Sequence, residues 1–253
     1  MGNKEKKTIK GKTYRIAMII LLLIAITSLF FIGKNLYKYY VGRNAYNQLE
    51  QFTDDLGRAE GVGDQMTLDV DFDALTKINP DIKAWLFSIG TPINYPVVQG
   101  ADNDKYLNTM FNGEINQSGT LFIDYRTQDP FNCFNTIIYG HHMKDRSMFG
   151  SLPKYKDGGY IDVHHTMKVI LPDCKYDLKI FGVVTIPGDS ELYKRDFNSD
   201  SEKADYIAKI KELSVVSTDV EVTPEDRIVM LSTCAYDYDN ARLVVYGKLV
   251  KEE

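Results

Sequence analysis

The chain has 253 residues, a formal net charge of -5 and a hydrophobic fraction of 44%. That length accommodates one globular domain and an appendage, at about 100–200 residues per domain. The mild acidity argues against a nucleic-acid partner, which needs a basic face. No GxxxxGK[ST] or GxGxxG pattern follows a strand, which argues against a nucleotide site.

The N-terminus is a different material from the rest. "MGNKEKKTIKGKTYR" carries Lys4, Lys6, Lys7, Lys10, Lys12 and Arg15, and "IAMIILLLIAITSLFFIG" then runs from Ile16 to Gly33 without a charge. At about 1.5 Å of rise per residue, such a helix spans a hydrocarbon core of about 30 Å. The basic flank precedes the apolar run, so the expected orientation puts residues 1–15 in the cytoplasm as a tail and 16–33 across the membrane. A cleaved signal peptide is the rival reading. Its core is shorter and ends in a small-x-small site, which "FFIGKNLYKYY" does not offer. An uncleaved signal-anchor is therefore expected, with the remainder of the chain outside the cell.

Residues 34–64 read as a membrane-proximal helix and linker. Leu36, Tyr40, Tyr46, Leu49 and Phe52 recur at helical spacing, and "GVGD" at 61–64 breaks the helix. Residues 65–253 read as an extracellular domain of short strands. Strands are expected at 82–88 and 93–99 around the "IGTP" turn, then at 119–126, 135–142, 160–172, 175–186, 226–234 and 241–250. Helical pieces are expected at 102–111 behind an Asp cap, at 147–155 ended by Pro153, and at 200–214, where Ala204, Ile207, Ile210 and Leu213 form a stripe behind another Asp cap. About eight strands without βαβ alternation give a mostly β domain, a closed barrel with small helices on its connections.

Three cysteines remain in an exported chain, so at least one thiol is unpaired. Cys133 in "DPFNCFN" and Cys174 in "LPDCKYD" read as small buried hydrophobes. Cys234 differs, because it ends a strand whose hairpin partner opens with Arg242. Strands joined by a short loop pair as neighbours, which brings the thiol near the guanidinium. A thiolate is a strong nucleophile, and a cationic neighbourhood favours that form. Arginine stays charged and offers forked donors to an oxyanion. A histidine would complete an acyl-transfer site by giving and taking a proton. "YGHH" ends another strand, and Gly140 is expected to let the backbone turn so that a following ring reaches the rim; the pattern does not choose between His141 and His142. His164 and His165 sit within an expected strand and read as ordinary strand surface. A zinc site is the competing use of these residues. Adjacent strand histidines point to opposite faces, and neither CxxC nor HExxH is present, so no metal and no other cofactor is expected.

These segments together resemble the class B sortases, membrane-anchored cysteine transpeptidases of Gram-positive bacteria. The resemblance is carried by "WLFSIGTPINYPVVQGADNDKYL", "GTLFIDYR", "IIYGHHMKDRSMFGSL" and "LSTCAYDYDNARLVVYG", and covers about residues 80–250. It implies an eight-stranded sortase barrel with an N-terminal helix and a helix before the cysteine strand, where 35–60 and 200–214 fall. It implies Cys234 as nucleophile, Arg242 as its oxyanion partner and His141, directly after the glycine, as the histidine.

The resemblance further implies substrate contacts from Asn103 and Leu107, from Ser232 and Thr233 before the cysteine, and from Tyr206 and Ile207 in the helical connection. The glutamate common after the cysteine is Ala235 here, so one polar contact is missing or supplied by Asp237. The implied partners are surface proteins bearing a C-terminal sorting signal, of the Asn-Pro-x-Thr or a related type, an amine of a peptidoglycan precursor or cross-bridge, and the cytoplasmic membrane. Two other readings share the barrel: a non-catalytic cell-surface binding protein, and a cysteine protease that uses water as acceptor.

Overall fold

The structure, a computed structural model, describes residues 2–53 and 68–252. Eight strands among the described residues close into a barrel in the order β1-β2-β3-β4-β7-β8-β6-β5. They are β1 (Ile82–Phe87), β2 (Asn94–Val98), β3 (Leu121–Ile123), β4 (Asn135–Tyr139), β5 (Thr166–Ile170), β6 (Lys175–Pro187), β7 (Ile228–Cys234) and β8 (Ala241–Lys251). The β2–β3 and β4–β7 pairs are parallel, and the other six are antiparallel. The expected mostly β barrel is thus present.

Four α-helices among the described residues accompany it: α1 (Gly2–Leu49), α2 (Phe72–Ile78), α3 (Gly158–Val163) and α4 (Asp200–Leu213). The part of α1 before Gly42 is a unit of its own, and its apolar residues from Ile16 to Ile32 are exposed along a stretch long enough to cross a bilayer. From Gly42 onward the chain belongs with the barrel. There Tyr46 is buried, stacks edge-on against Tyr95 at 5.3 Å, and donates its hydroxyl proton to the Gly119 carbonyl. The expected end of this helix at 54–60, its break at 61–64 and the expected domain start at 65 lie outside the described residues.

Strand β7 is buried on both faces up to Thr233, which explains its unbroken apolar run "IVML". One face fills the barrel. The other carries Ile228 and Met230, which join Ile137 of β4, Phe181 and Val184 of β6, and Val244 and Tyr246 of β8 in a cluster beneath α4. Helix α4 contributes Tyr206 and Ile210 to that cluster. Side chains alternate along a strand. The face that begins in this cluster therefore continues through Ser232 to Cys234 on β7, and back from Val244 to Arg242 on β8.

Several local expectations are corrected. The 102–111 segment forms a single 3-10 turn, Lys105–Leu107, although Asp102 does accept from the Asp104 and Lys105 N–H groups as a cap would. Pro153 lies in the first turn of a 3-10 segment, Leu152–Lys156, and does not end it; proline is tolerated there because those N–H groups have no helical partner. Residues 158–163 form α3 in place of the start of a strand, with Asp157 accepting from Gly159 N–H at 3.0 Å. His164 accordingly caps a helix, its ring 3.0 Å from the Ile89 carbonyl. The cap of α4 is Ser199, not Asp200, and its buried stripe is Tyr206, Ile207 and Ile210, with Ala204 and Leu213 exposed. Cys133 and Cys174 are half-buried.

Candidate active site

Register sets the site. Ala235 N–H donates to the Ala241 carbonyl at 2.9 Å, so that couple is a hydrogen-bonded pair. Hydrogen-bonded and non-bonded pairs alternate in an antiparallel ladder. Cys234 and Arg242, the adjacent couple, are therefore a non-hydrogen-bonded pair, the kind whose Cα atoms approach to about 4.5 Å with side chains on one face. The hairpin closes through Asn240, whose φ of 58° is tolerated by asparagine. The Arg242 guanidinium is steadied by donating to the Ala241 carbonyl at 3.0 Å.

On the other side of β7, the parallel ladder pairs Tyr139 with Ser232, and Gly140 N–H donates to the Ser232 carbonyl at 3.1 Å. Continuing that register by two residues sets His141 beside Cys234, on the same face. Gly140 has no unusual φ. Its role is room: a Cβ there would lie 2.4 Å from Leu121 Cδ2 and 2.6 Å from Phe149 Cδ2. The glycine is thus required by a close approach and not by a special backbone angle. His141 Nε2 lies 2.6 Å from the Leu107 carbonyl oxygen. A carbonyl only accepts, so Nε2 carries the proton, and Nδ1 is the nitrogen not held by that bond. Cys234 is exposed.

Cys234, Arg242 and His141 line one open groove of about 390 Å³, together with Asn103, Leu107 and Tyr193. Ser232, 2% exposed, shares a 2.6 Å hydrogen bond with the Tyr193 hydroxyl. Thr233 also borders the groove, but alternation turns its buried side chain to the other face of β7, so it offers backbone. Tyr206 and Ile207 are not brought to the groove. Tyr206 is 6% exposed, and its hydroxyl donates to the Leu192 carbonyl at 2.6 Å and accepts from Asn135 at 3.1 Å. Ile207 is buried beside it on α4. The inward stripe of an amphipathic helix is consumed by the core, so neither side chain borders the groove.

Tyr193, not Tyr206, lines the groove, and nothing in its loop sequence marks it. Burial pushes its phenol pKa up, and nearby Cys234 adds to this, while Ser232 and the Arg242 charge oppose it. The groove floor was likewise not legible. Asp124, fully buried, accepts from Arg126 Nε at 2.9 Å and from the other arm of that guanidinium at 2.6 Å. It also accepts from Tyr139 at 3.1 Å and Asn103 at 3.4 Å. Burial alone would raise the Asp124 pKa, but the hydrogen bonds and charge of Arg126 prevail and hold it at about 2. Asn103 is thereby fixed, its side-chain carbonyl accepting from Tyr125 N–H at 3.1 Å. Asp237, the candidate stand-in for an acid at Ala235, is paired with Lys156 at 2.7 Å and is absent from the groove wall.

A closed barrel whose rim sets a thiol opposite a guanidinium has the layout of a cysteine transpeptidase. A family model for the sortase domain matches residues 88–250. Sortase B of Listeria monocytogenes is 40% identical over 178 residues, covering 70% of this chain and 72% of the relative. The Staphylococcus aureus sortase B–substrate complex superposes with a TM-score of 0.74 at 32% identity, covering 86% of this chain and all of that one. A sortase B complexed with triglycine superposes with a TM-score of 0.67 at 37% identity, covering 72% of this chain and 86% of that one. The chain belongs to the sortase family, class B. It is a cysteine transpeptidase that processes sorting signals.

Proposed function

We propose that Cys234 is the nucleophile toward a C-terminal sorting signal of the Asn-Pro-x-Thr type, that Arg242 binds the oxyanion and that His141 moves the proton. The Cys234 thiolate attacks the Thr carbonyl, and the Arg242 fork neutralises the charge that develops on its oxygen. The C–N bond breaks, His141 gives its proton to the leaving amine, and a thioacyl enzyme remains. An amine of a peptidoglycan precursor or cross-bridge then attacks. His141 takes the proton, the C–S bond breaks, and the thiolate is restored. With Nε2–H donated to Leu107, Nδ1 is the nitrogen that serves both transfers. Asn103, Leu107, Ser232 and Tyr193 hold the donor peptide.

The observation that carries this reading is the Cys234–Arg242 non-hydrogen-bonded pair at the groove. Two relatives support the two halves of the reaction, one solved with a substrate and one with triglycine. Residues 16–33 anchor the chain, with 1–15 cytoplasmic, 34–64 membrane-proximal and 65–253 extracellular. The exposed apolar stretch of α1 and its preceding basic residues support that topology.

The test uses the full chain in detergent with fluorescent Asn-Pro-x-Thr peptides and a peptidoglycan-derived amine. A ligated product that depends on both peptide motif and amine, and that is lost in Cys234→Ala, is expected. Peptide cleavage that persists in Cys234→Ala would sink the proposal.

A further inference from the structure

The second histidine of "YGHH" is unused by the proposed mechanism, yet it touches the backbone of the nucleophile. Its Nδ1 lies 2.8 Å from the Cys234 carbonyl oxygen. The register explains why that carbonyl needs it. In a non-hydrogen-bonded pair the N–H and C=O of each residue point away from the partner strand. The Cys234 carbonyl therefore faces β4 and not β8. The β4 ladder ends with the bond from Gly140 N–H to Ser232. One ladder step further, the backbone N–H of residue 142 would meet the Cys234 carbonyl. The chain has turned away by then: His142 bridges Met148, and the His141 carbonyl accepts from Phe149 N–H at 3.0 Å. The strand-end carbonyl is left without its ladder donor, and the His142 ring supplies one.

We infer that His142 is a positioning residue, its Nδ1–H replacing the missing rung that fixes the Cys234 peptide. The inference rests on Cys234 being the nucleophile. One strand end thus serves the thiol twice. The turn after Gly140 frees the His141 ring for the groove, and His142 repairs the ladder that the turn interrupts. A carbonyl only accepts, so the bond needs a proton on Nδ1, which both the imidazolium and the Nδ1–H neutral tautomer provide. Tyr236, from the β7–β8 loop, packs on the His142 ring at 5.1 Å between centroids and 42° between planes. A tilted aromatic contact of this kind restricts where the ring can swing.

The test is single-turnover thioacylation of the full chain by a sorting peptide. An error of about 1 Å in a reacting group costs up to about 100-fold, so His142→Ala is expected to acylate at least about tenfold more slowly with little change in peptide KM. His142→Asn keeps an N–H at the same distance from Cβ and is expected to recover to within about threefold of wild type, whereas His142→Gln, with its N–H one carbon further out, is not. Acylation by His142→Ala within about twofold of wild type overturns the inference. So does His142→Asn as slow as His142→Gln at equal melting temperature. Should His142→Ala not fold, the Asn and Gln pair decides alone. Failure of the wider reading looks different: wild type itself then forms no adduct on Cys234.

Discussion

Replacing Asp124 by asparagine tests the groove floor and can be worked through in numbers. The carboxylate is fully buried, whereas its partner Arg126 is 45% exposed. Its folded pKa is about 2, against about 3.9 for an unperturbed aspartate. A depressed carboxylate pKa contributes stability that is complete above the unfolded value and lost as pH falls through the folded one. The full shift corresponds to roughly 2–3 kcal/mol, and solvent screening of the exposed guanidinium brings it to about 2 kcal/mol. Asp124→Asn should therefore unfold in urea with about 2 kcal/mol less stability at pH 7, and about half of that gap should be gone by pH 3. The same substitution releases one anchor of Asn103, so the KM for a sorting peptide should rise. A stability gap of equal size at pH 7 and pH 3 would refute the electrostatic reasoning, because a purely steric loss does not titrate.

Three further outcomes follow from particular contacts. Gly140→Ala forces a Cβ to within 2.4 Å of Leu121 and 2.6 Å of Phe149, an overpacking that costs about 1–3 kcal/mol; a lowered melting temperature together with slower thioacylation is expected, since His141 is the next residue. Tyr206→Phe takes the hydroxyl donor from the Leu192 carbonyl and leaves the Asn135 amide only its bond to Lys194, so stability should fall by about 1–3 kcal/mol with peptide KM unchanged; a raised KM without a stability loss would return Tyr206 to the groove. Tyr193→Phe removes the 2.6 Å bond to Ser232 at the groove wall and should weaken peptide binding by about 1 kcal/mol, read as a roughly fivefold higher KM.

The sequence carried the barrel and the rim of the groove unequally. Strands β7 and β8 were legible to within two residues because both faces are apolar and the hairpin between them is short. Their pairing alone brings Cys234 to Arg242. The choice of His141 came from resemblance, and its physical basis is the parallel β4–β7 register, which no local pattern reveals. Helix α3 was hidden because "YIDVHH" alternates like a strand, and a single helical turn capped by Asp157 has no room to display a 3.6-residue period. That Tyr193 borders the groove and Tyr206 does not has a different cause. Both tyrosines lie between β6 and β7, and only packing decides that the helical one enters the core. The Asp124–Arg126 floor joins charges two residues apart, a spacing that gives no sign of burial.

Cys234 is expected to carry the acyl group, and intact-protein mass spectrometry of the full chain reads this most directly. After a pulse of sorting peptide and an acid quench, wild type should gain the mass of the peptide truncated after Thr less one water, the acyl group, located on Cys234. Arg242→Ala should gain it far more slowly, by about 10²–10³ for loss of an oxyanion donor. No adduct in wild type, or the same adduct in Cys234→Ala, would contradict the account.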